Sequence, residues 1–383
     1  MDLDEEEIEA VTRVLRSRWL SMGPVTAEFE QQFAEFVGVK YAFAVTNCTA
    51  ALHLAHLALG AGPGDTVICP SLTFVATANA IRYTGATPMF ADITSVDNLN
   101  ISPDDIEAKI DASTKGICVV HYGGYPCDMG KIMQIAKRHH LYVVEDAAHA
   151  PGASTMVGSN APGQHGITPH MCGSIGDIAC FSFFANKNMS TAEGGMITTN
   201  NETLANRVRL LRSHGMTSLT WDRDQGHSFS YDVVELGWNY RMDELRSAIG
   251  IVQLKKLAEN NRRRSEAAAF YRDRLADIEK ISIPFLSAEA TSSHHIFPIV
   301  LAREVNRQEF MLFMREKGIQ TSIHYPLIHK FTEYQKNLPR YVHLPVTEDI
   351  ETRVITLPLY PSIRQHQLTQ VVEAIQAWAN TVA

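Results

Sequence analysis

What the sequence lacks narrows its function first. No apolar run approaches the roughly 20 residues that a bilayer-crossing helix needs, so no membrane partner is expected. No dense run of Lys or Arg is present, and 34 basic residues face 42 acidic ones, for a net charge of -8. That balance argues against a nucleic-acid partner. Six cysteines (Cys48, Cys69, Cys118, Cys127, Cys172 and Cys180) are scattered without a disulfide-type or zinc-type framework. Reduced thiols in a cytoplasmic protein are therefore expected. The opening Met1-Asp2-Leu3-Asp4-Glu5-Glu6-Glu7 is acidic, unlike a secretory leader. Internal repeats and low-complexity tracts are also missing. What remains is an ordinary globular composition, 45% apolar and 20% charged over 383 residues. That length allows about two or three domains' worth of core.

Short apolar runs alternate with helical patterns through the first half of the chain. Runs at Tyr41 to Val45, Thr66 to Pro70, Thr87 to Asp92, Lys115 to His121, Leu141 to Asp146 and Ile178 to Phe183 read as strands. Between them lie helical stretches, including Ala50 to Leu59, Phe74 to Tyr83 and Met129 to His139. Before the first strand, Met22-Gly23-Pro24 breaks a helical region in two, and the second piece carries Phe29, Phe33 and Phe36 at helical spacing. Alternating strands and helices imply an α/β fold with a parallel sheet and right-handed crossovers. Pro151 to Ile175 breaks the rhythm. It is rich in Gly, Pro, Ser and His and reads as a long loop or extended hairpin. Gly215 to Val233 reads as another loop, and a long helix is predicted from about Asp243 to Leu275. Beyond Ile281 the elements shorten: strands at Ile296 to Leu301 and Gln320 to His324, helices at Arg307 to Lys317 and Gln367 to Ala379. A domain boundary is placed inside or just after the long helix, dividing the chain into 1–250 and 251–383.

The chain is organised around Phe181 to Gly195, where one lysine, Lys187, stands between two apolar runs. Such a lysine is either a surface residue on a turn or a desolvated amine with a lowered pKa, suited to Schiff-base chemistry. Upstream, Val143-Val144-Glu145-Asp146 reads as a buried strand ending in a carboxylate. An Asp at a strand end plus a lysine on a later strand is the pair that pyridoxal phosphate (PLP) uses: the lysine for the Schiff base, the Asp for the ring nitrogen. Thr46-Asn47-Cys48-Thr49 sits between a strand and a helix, where unpaired amides make either a phosphate seat or an ordinary N-cap. Phe74 at a strand-to-helix corner is a stacking aromatic or a core residue. Asn239 and Arg241, in Gly237-Trp238-Asn239-Tyr240-Arg241-Met242, either face a ligand or serve as cap and surface residue. His324 in His324-Tyr325-Pro326 is local structure or a substrate neighbour. His165, His170 and Cys172 lie close in sequence but fit no standard metal spacing, so no metal is expected. Met311 and Met314 read as core packing.

These pieces, in order, resemble the DegT/StrS family of sugar aminotransferases, PLP enzymes of fold type I related to aspartate aminotransferase. The motifs are Asn47-Cys48-Thr49-Ala50-Ala51-Leu52-His53, Pro70-Ser71-Leu72-Thr73-Phe74, His121-Tyr122-Gly123-Gly124, Glu145-Asp146-Ala147-Ala148-His149, Phe181 through Lys187 to Gly195, and Gly237 to Met242. The resemblance covers nearly the whole chain. It implies a large domain with a mostly parallel seven-stranded sheet between helices, and a smaller C-terminal α+β domain. It assigns Lys187 as the Schiff-base lysine and Asp146 as the partner of the pyridine nitrogen. His149 is placed beside the ring and its 3-hydroxyl, Phe74 stacked on the ring, and Cys48, Thr49 and Ser182 at the phosphate. Asn239 is assigned to the phosphate of the other subunit, which implies a homodimer with shared active sites. Tyr122, His324, Tyr325 and Arg241 are candidates for substrate contact.

The activity implied is a ping-pong transamination in amino-sugar biosynthesis. L-glutamate is the expected donor and a nucleotide-linked 4-keto-6-deoxyhexose the expected acceptor. A 3-keto sugar or a keto cyclitol is an alternative acceptor, and a PLP-binding regulator without sugar turnover is an alternative class. A related 3-dehydrase carries His in place of the lysine, and Lys187 argues against that chemistry here. Two departures stand out: the segment between Gly152 and Gly173 is longer than the family's short hairpin, and Phe184 stands where many members carry His.

Overall fold

The computed structural model describes residues 2–158, 167–218, 221, 224, 226, 230–287, 290–338 and 342–381. In chain order, α1 (Glu5–Ser17) and α2 (Pro24–Val37) lead into β1 (Tyr41–Val45) and α3 (Cys48–Ala58). Then come β2 (Thr66–Pro70), α4 (Ala76–Tyr83), β3 (Thr87–Ala91), the small hairpin β4 (Ile93–Ser95) and β5 (Asn98–Ile101), and α5 (Pro103–Lys109). The chain continues through β6 (Thr114–Val120), α6 (Met129–His139), β7 (Tyr142–Asp146), β8 (Ser154–Gly158), β9 (Ile167–Met171), β10 (Ile178–Ser182), β11 (Gly195–Thr199) and α7 (Glu202–Leu211). The long α8 (Glu244–Leu275) is followed by β12 (Ile281–Ser282), β13 (Phe297–Leu301), α9 (Arg307–Glu316), α10 (Thr332–Asn337), α11 (Pro345–Ile350), β14 (Val354–Leu357) and α12 (Gln365–Ala379).

Seven strands form one sheet in the order β1-β11-β10-β7-β6-β2-β3. The pairs from β10 to β3 are parallel, while β11 runs against both β10 and β1. Successive residues point to opposite faces, and both faces are buried. Cys69, Cys118, Val144 and Cys180 join the cluster under α3, while Ile68, Val119 and Val143 join the one under α6. This explains why the strands read as unbroken apolar runs rather than alternating ones. The α/β architecture and the mostly parallel seven-stranded sheet match the fold type I expectation.

A second apolar cluster gathers the C-terminal half of α8, β13, β14, α9 and α12 around Tyr271, Phe297, Phe310 and Trp378. The three-stranded sheet β12-β13-β14 belongs to it. The helix α8 runs through both regions, and the expected division at 250/251 falls inside it. Its capping residue Asp243 accepts from the Arg246 amide, and Glu244 accepts from the amides of Gly23, Val25 and Thr26. One buried carboxylate thus holds the start of α2 against the start of α8.

Three sequence expectations need correction. Gln320 to His324 is not a strand: it makes only one bridge, Ser322 to Thr356, and runs as an extended segment along β14. The helix expected from Phe74 begins at Ala76, because Ser71 to Phe74 turn the corner above β2. The short strands β4, β5, β12 and β14 were not foreseen. The segment from Pro151 does contain an extended hairpin, β8 with β9, paired from Ser154 with Met171 to Gly158 with Ile167. His165 lies outside the described residues.

Candidate active site

The carboxyl ends of β7, β6 and β10 open beside the start of α3, and the loop after β10 returns across them. These elements enclose a cavity of about 400 Å³. Gly195, at the start of β11, allows the close approach. A Cβ there would meet the Asn47 carbonyl carbon at 2.6 Å and the Cys48 amide nitrogen at 2.8 Å. The wall therefore needs glycine at that point.

Asp146 ends β7 on the cavity floor. Its Oδ2 accepts from Thr77 Oγ1 at 2.8 Å and its Oδ1 from the Ala148 amide at 3.2 Å. Burial raises its pKa, and these donors together with the Lys187 ammonium oppose the rise. Lys187 lines the same cavity, its amide closing a turn onto the Phe184 carbonyl at 2.9 Å. Burial lowers its amine from 10.5 to about 8, with Asp146 pulling the other way. A free amine is thus accessible near neutral pH, opposite a buried carboxyl.

Above the floor, His149 lies between Gly123, whose amide donates to Nδ1 at 3.3 Å, and the Tyr325 hydroxyl, 2.9 Å from Nε2. Burial, and after it the Lys187 ammonium, hold the pKa of His149 well below the ordinary imidazole value. Phe74 is 57% exposed yet lines the cavity, its ring centroid 6.1 Å from that of Tyr325. It is not a core residue: it offers a bare aromatic face. At the other end, Asn47 caps α3 by accepting from the Ala50 amide at 2.8 Å. The amides of Cys48 and Thr49 precede the first intrahelical bonds and line the cavity beside Ser182. Unpaired amides at a helix start attract anions.

The cavity therefore brings together Lys187, Asp146, His149, Phe74, Cys48, Thr49, Ser182, His324 and Tyr325. Three candidates lie outside it. Tyr122 is buried behind the wall and donates to the His324 carbonyl. Arg241 donates to Ser213 Oγ at 3.0 Å, and Asn239 is exposed, bridged through its backbone to Ser213. Among the described residues no cluster of three potential metal ligands occurs. His170 pairs instead with Thr168, and Cys172 is buried.

The profile of the DegT/DnrJ/EryC1/StrS aminotransferase family matches residues 1–376. The chain belongs to this family. It is an aminotransferase. The spore coat polysaccharide biosynthesis protein SpsC of Bacillus subtilis is 40% identical over 380 residues, spanning 98% of this chain and 94% of that protein. PseC of Helicobacter pylori, an aminotransferase involved in pseudoaminic acid biosynthesis, superposes with a TM-score of 0.89 at 29% identity, over 99% of this chain and 98% of its own. A candidate sugar aminotransferase of Streptococcus pneumoniae, solved in PLP and PMP forms, superposes with a TM-score of 0.88 at 27% identity, over 100% of this chain and 98% of its own.

In this family member the sequence reading missed Thr77, Asn186 and Glu193. Thr77 lies 3.3 Å from Thr73 through their hydroxyls and donates to Asp146, 69 residues on, a contact with no local signal. Asn186 and Glu193 flank the lysine loop and line the cavity, but nothing local distinguishes them from loop polarity.

Proposed function

We propose that this aminotransferase holds PLP in the Lys187 cavity and moves an amino group from L-glutamate to a keto sugar, a nucleotide-linked 4-keto-6-deoxyhexose. The observation that carries the reading is the pairing of a buried carboxyl, Asp146, with an amine lowered to about 8, Lys187, in one cavity. The other lining groups suit the same cofactor. Cys48, Thr49 and Ser182 present donors for a phosphate, Phe74 an aromatic face for a flat ring, and His149 a neutral imidazole beside it. Bound there, PLP supplies an aldehyde that takes an amine and a ring that accepts an electron pair. Asp146 holds a positive charge on the ring nitrogen, and in turn its own charge is held by Thr77 and Ala148. The Nζ of Lys187 takes the proton from the donor's Cα and later returns one to the acceptor. Tyr325 and His149, hydrogen-bonded at 2.9 Å, close the wall against water.

A sugar acceptor is supported by the relatives named for polysaccharide and pseudoaminic acid biosynthesis. A homodimer is supported by the segment carrying Asn239, which also exposes Val233, Val234 and Leu236, the last to 79%. In a dimer Asn239 reaches the partner's phosphate seat, with Arg241 beside it near the substrate. Six free, buried cysteines fit a cytoplasmic location.

The visible spectrum of the purified protein with PLP tests the reading. A band that shifts with L-glutamate and returns with 2-oxoglutarate is expected. A band that L-glutamate leaves unchanged overturns the donor, and the absence of any band overturns the cofactor site. Mixing Lys187→Ala with Asn239→Ala subunits restores one complete site per mixed dimer, and activity above either variant alone is expected.

A further inference from the structure

A second cavity of about 460 Å³ adjoins the first, sharing Asn186 and His324 with it. It is bounded by β14, the start of α12 and the extended segment at Gln320 to Ser322. Its polar lining includes Gln320, Ser322, Thr356, Gln367, Gln370 and His295, with the Tyr360 ring beside them. No Lys, Arg, Asp or Glu is among the described residues that line it. A buried cation, Arg264, directs Nη1 to the carbonyls of His294, His295 and Leu359, and Lys187 lines the adjoining first cavity.

His295 is a buried polar group of this cavity, only 5% exposed, as is Thr356. Its tautomer follows from its partners. Asn188 donates Nδ2 to the Ser293 carbonyl at 2.7 Å and to Asn261 Oδ1 at 2.8 Å, so its Oδ1 is an acceptor. His295 Nδ1 lies 2.9 Å from that oxygen and must carry the proton. Nε2 then holds a lone pair and has no hydrogen-bond partner among the described residues. The ring is held in place by His149, whose centroid is 4.3 Å away. Burial and nearby cations keep the imidazole neutral. A fixed, neutral acceptor of this kind selects a hydroxyl or N–H donor rather than an anion.

We propose that the second cavity is a subsite for an uncharged, hydroxyl-bearing ring of the amino acceptor, with His295 Nε2 accepting a hydrogen bond from it. The inference rests on the proposed transamination and adds the chemistry of the acceptor's distal part. That part is a sugar or nucleoside ring, and a diphosphate lies elsewhere.

The test uses the full chain with PLP and three probes: methyl α-D-glucopyranoside, thymidine and inorganic pyrophosphate. Saturation-transfer NMR reads binding. At least one neutral probe binds, and pyrophosphate does not displace it. The glucoside alone identifies a sugar ring and thymidine alone a nucleoside ring. His295→Phe keeps a ring against His149 but removes the acceptor, along with the donor to Asn188, and weakens binding roughly tenfold, the effect of one hydrogen bond. His295→Gln, whose amide can both donate to Asn188 and accept from the ligand, restores most of it. If His295→Phe does not fold, Gln320→Ala on the exposed rim replaces it and weakens binding severalfold. Absence of binding by both neutral probes, undiminished binding in the substituted chain, or displacement by pyrophosphate overturns the proposal. The response of the unsubstituted protein to L-glutamate is read separately. Its failure removes the transamination reading, while the probe titration still decides the subsite.

Discussion

Glu145 and Asp146 are neighbours on β7, equally deep in the molecule, and they face opposite sides of the sheet. Glu145 accepts from His121 Nε2 at 3.0 Å, from the Gly173 and Ile175 amides at 2.8 Å each and from the Gly176 amide. The His121 ring is held in place by the Cys127 amide, which donates to its Nδ1. This set of donors outweighs desolvation and lowers the Glu145 pKa. Asp146 has two donors and a lysine across the cavity, and desolvation wins. Burial depth is therefore not what separates them; the number of donors is. The saturated carboxylate ties β7 to the loop before β10. The unsaturated one keeps lone pairs facing the cavity.

The contrast can be broken from the cavity side first. Lys187→Ala should abolish amino transfer, a loss of at least about 10⁴-fold, because it removes both the attacking amine and the proton carrier. Steady-state turnover checks it, and retained activity would remove Lys187 from the mechanism. On the other face, Glu145→Ala should destabilise the fold by about 4 kcal/mol, since it strands several buried donors. Urea unfolding reads this, and a loss under about 1 kcal/mol would mean that water replaces the carboxylate. Asp146→Asn should do the reverse. Amino transfer falls roughly 10²–10³-fold, while the cofactor-free fold at neutral pH becomes no less stable.

A smaller effect sharpens the same comparison. Thr77→Val removes one of the two donors to Asp146 and should cost about 1 kcal/mol in the glutamate half-reaction, read by stopped-flow absorbance. The smallest test is in pH. Lys187 releases its proton at about 8 in the folded chain, against 10.5 unfolded. Between those values the unfolded chain binds more protons, so this group makes stability rise with pH. Below about 8 the rise is absent. The difference in stability between the cofactor-free protein and Lys187→Met, followed from pH 8 to 10.5, should show that slope. A flat difference would mean that the amine is not desolvated.

How much of this was legible follows from distance along the chain. The β10 strand, the lysine turn and the glycines are contiguous, so the Lys187 stretch carried its own signal. Asp146 was readable because a buried-type strand ending in a carboxylate is unusual in itself. Contacts across large separations left no local trace. Asp92 caps α11 through the amides of Val346 and Thr347, more than 250 residues away, and no pattern near either position announces it. The run Gln320 to His324 has strand-like composition, yet the neighbouring backbone gives it only one bridge. Strands of two to four residues, such as β12 and β14, are too short for a period to show. The His295 tautomer depends on Asn188, Ser293 and Asn261 together, which only the folded chain assembles.

Ser71 meets the far end of the same wall. Its carbonyl accepts from the Ile328 amide at 3.1 Å, its hydroxyl accepts from the His329 amide at 3.2 Å, and Oγ lies 2.7 Å from His329 Nδ1. This clasp seats His324 and Tyr325 over a floor laid down by residues 46 to 187. During synthesis, then, the lysine and its carboxyl partner leave the ribosome well over a hundred residues before the wall that encloses them. A nascent chain shorter than about 330 residues carries the reactive pair without its enclosure. Seating that wall closes a loop of more than 250 residues, and it separates an exposed lysine from an enclosed one.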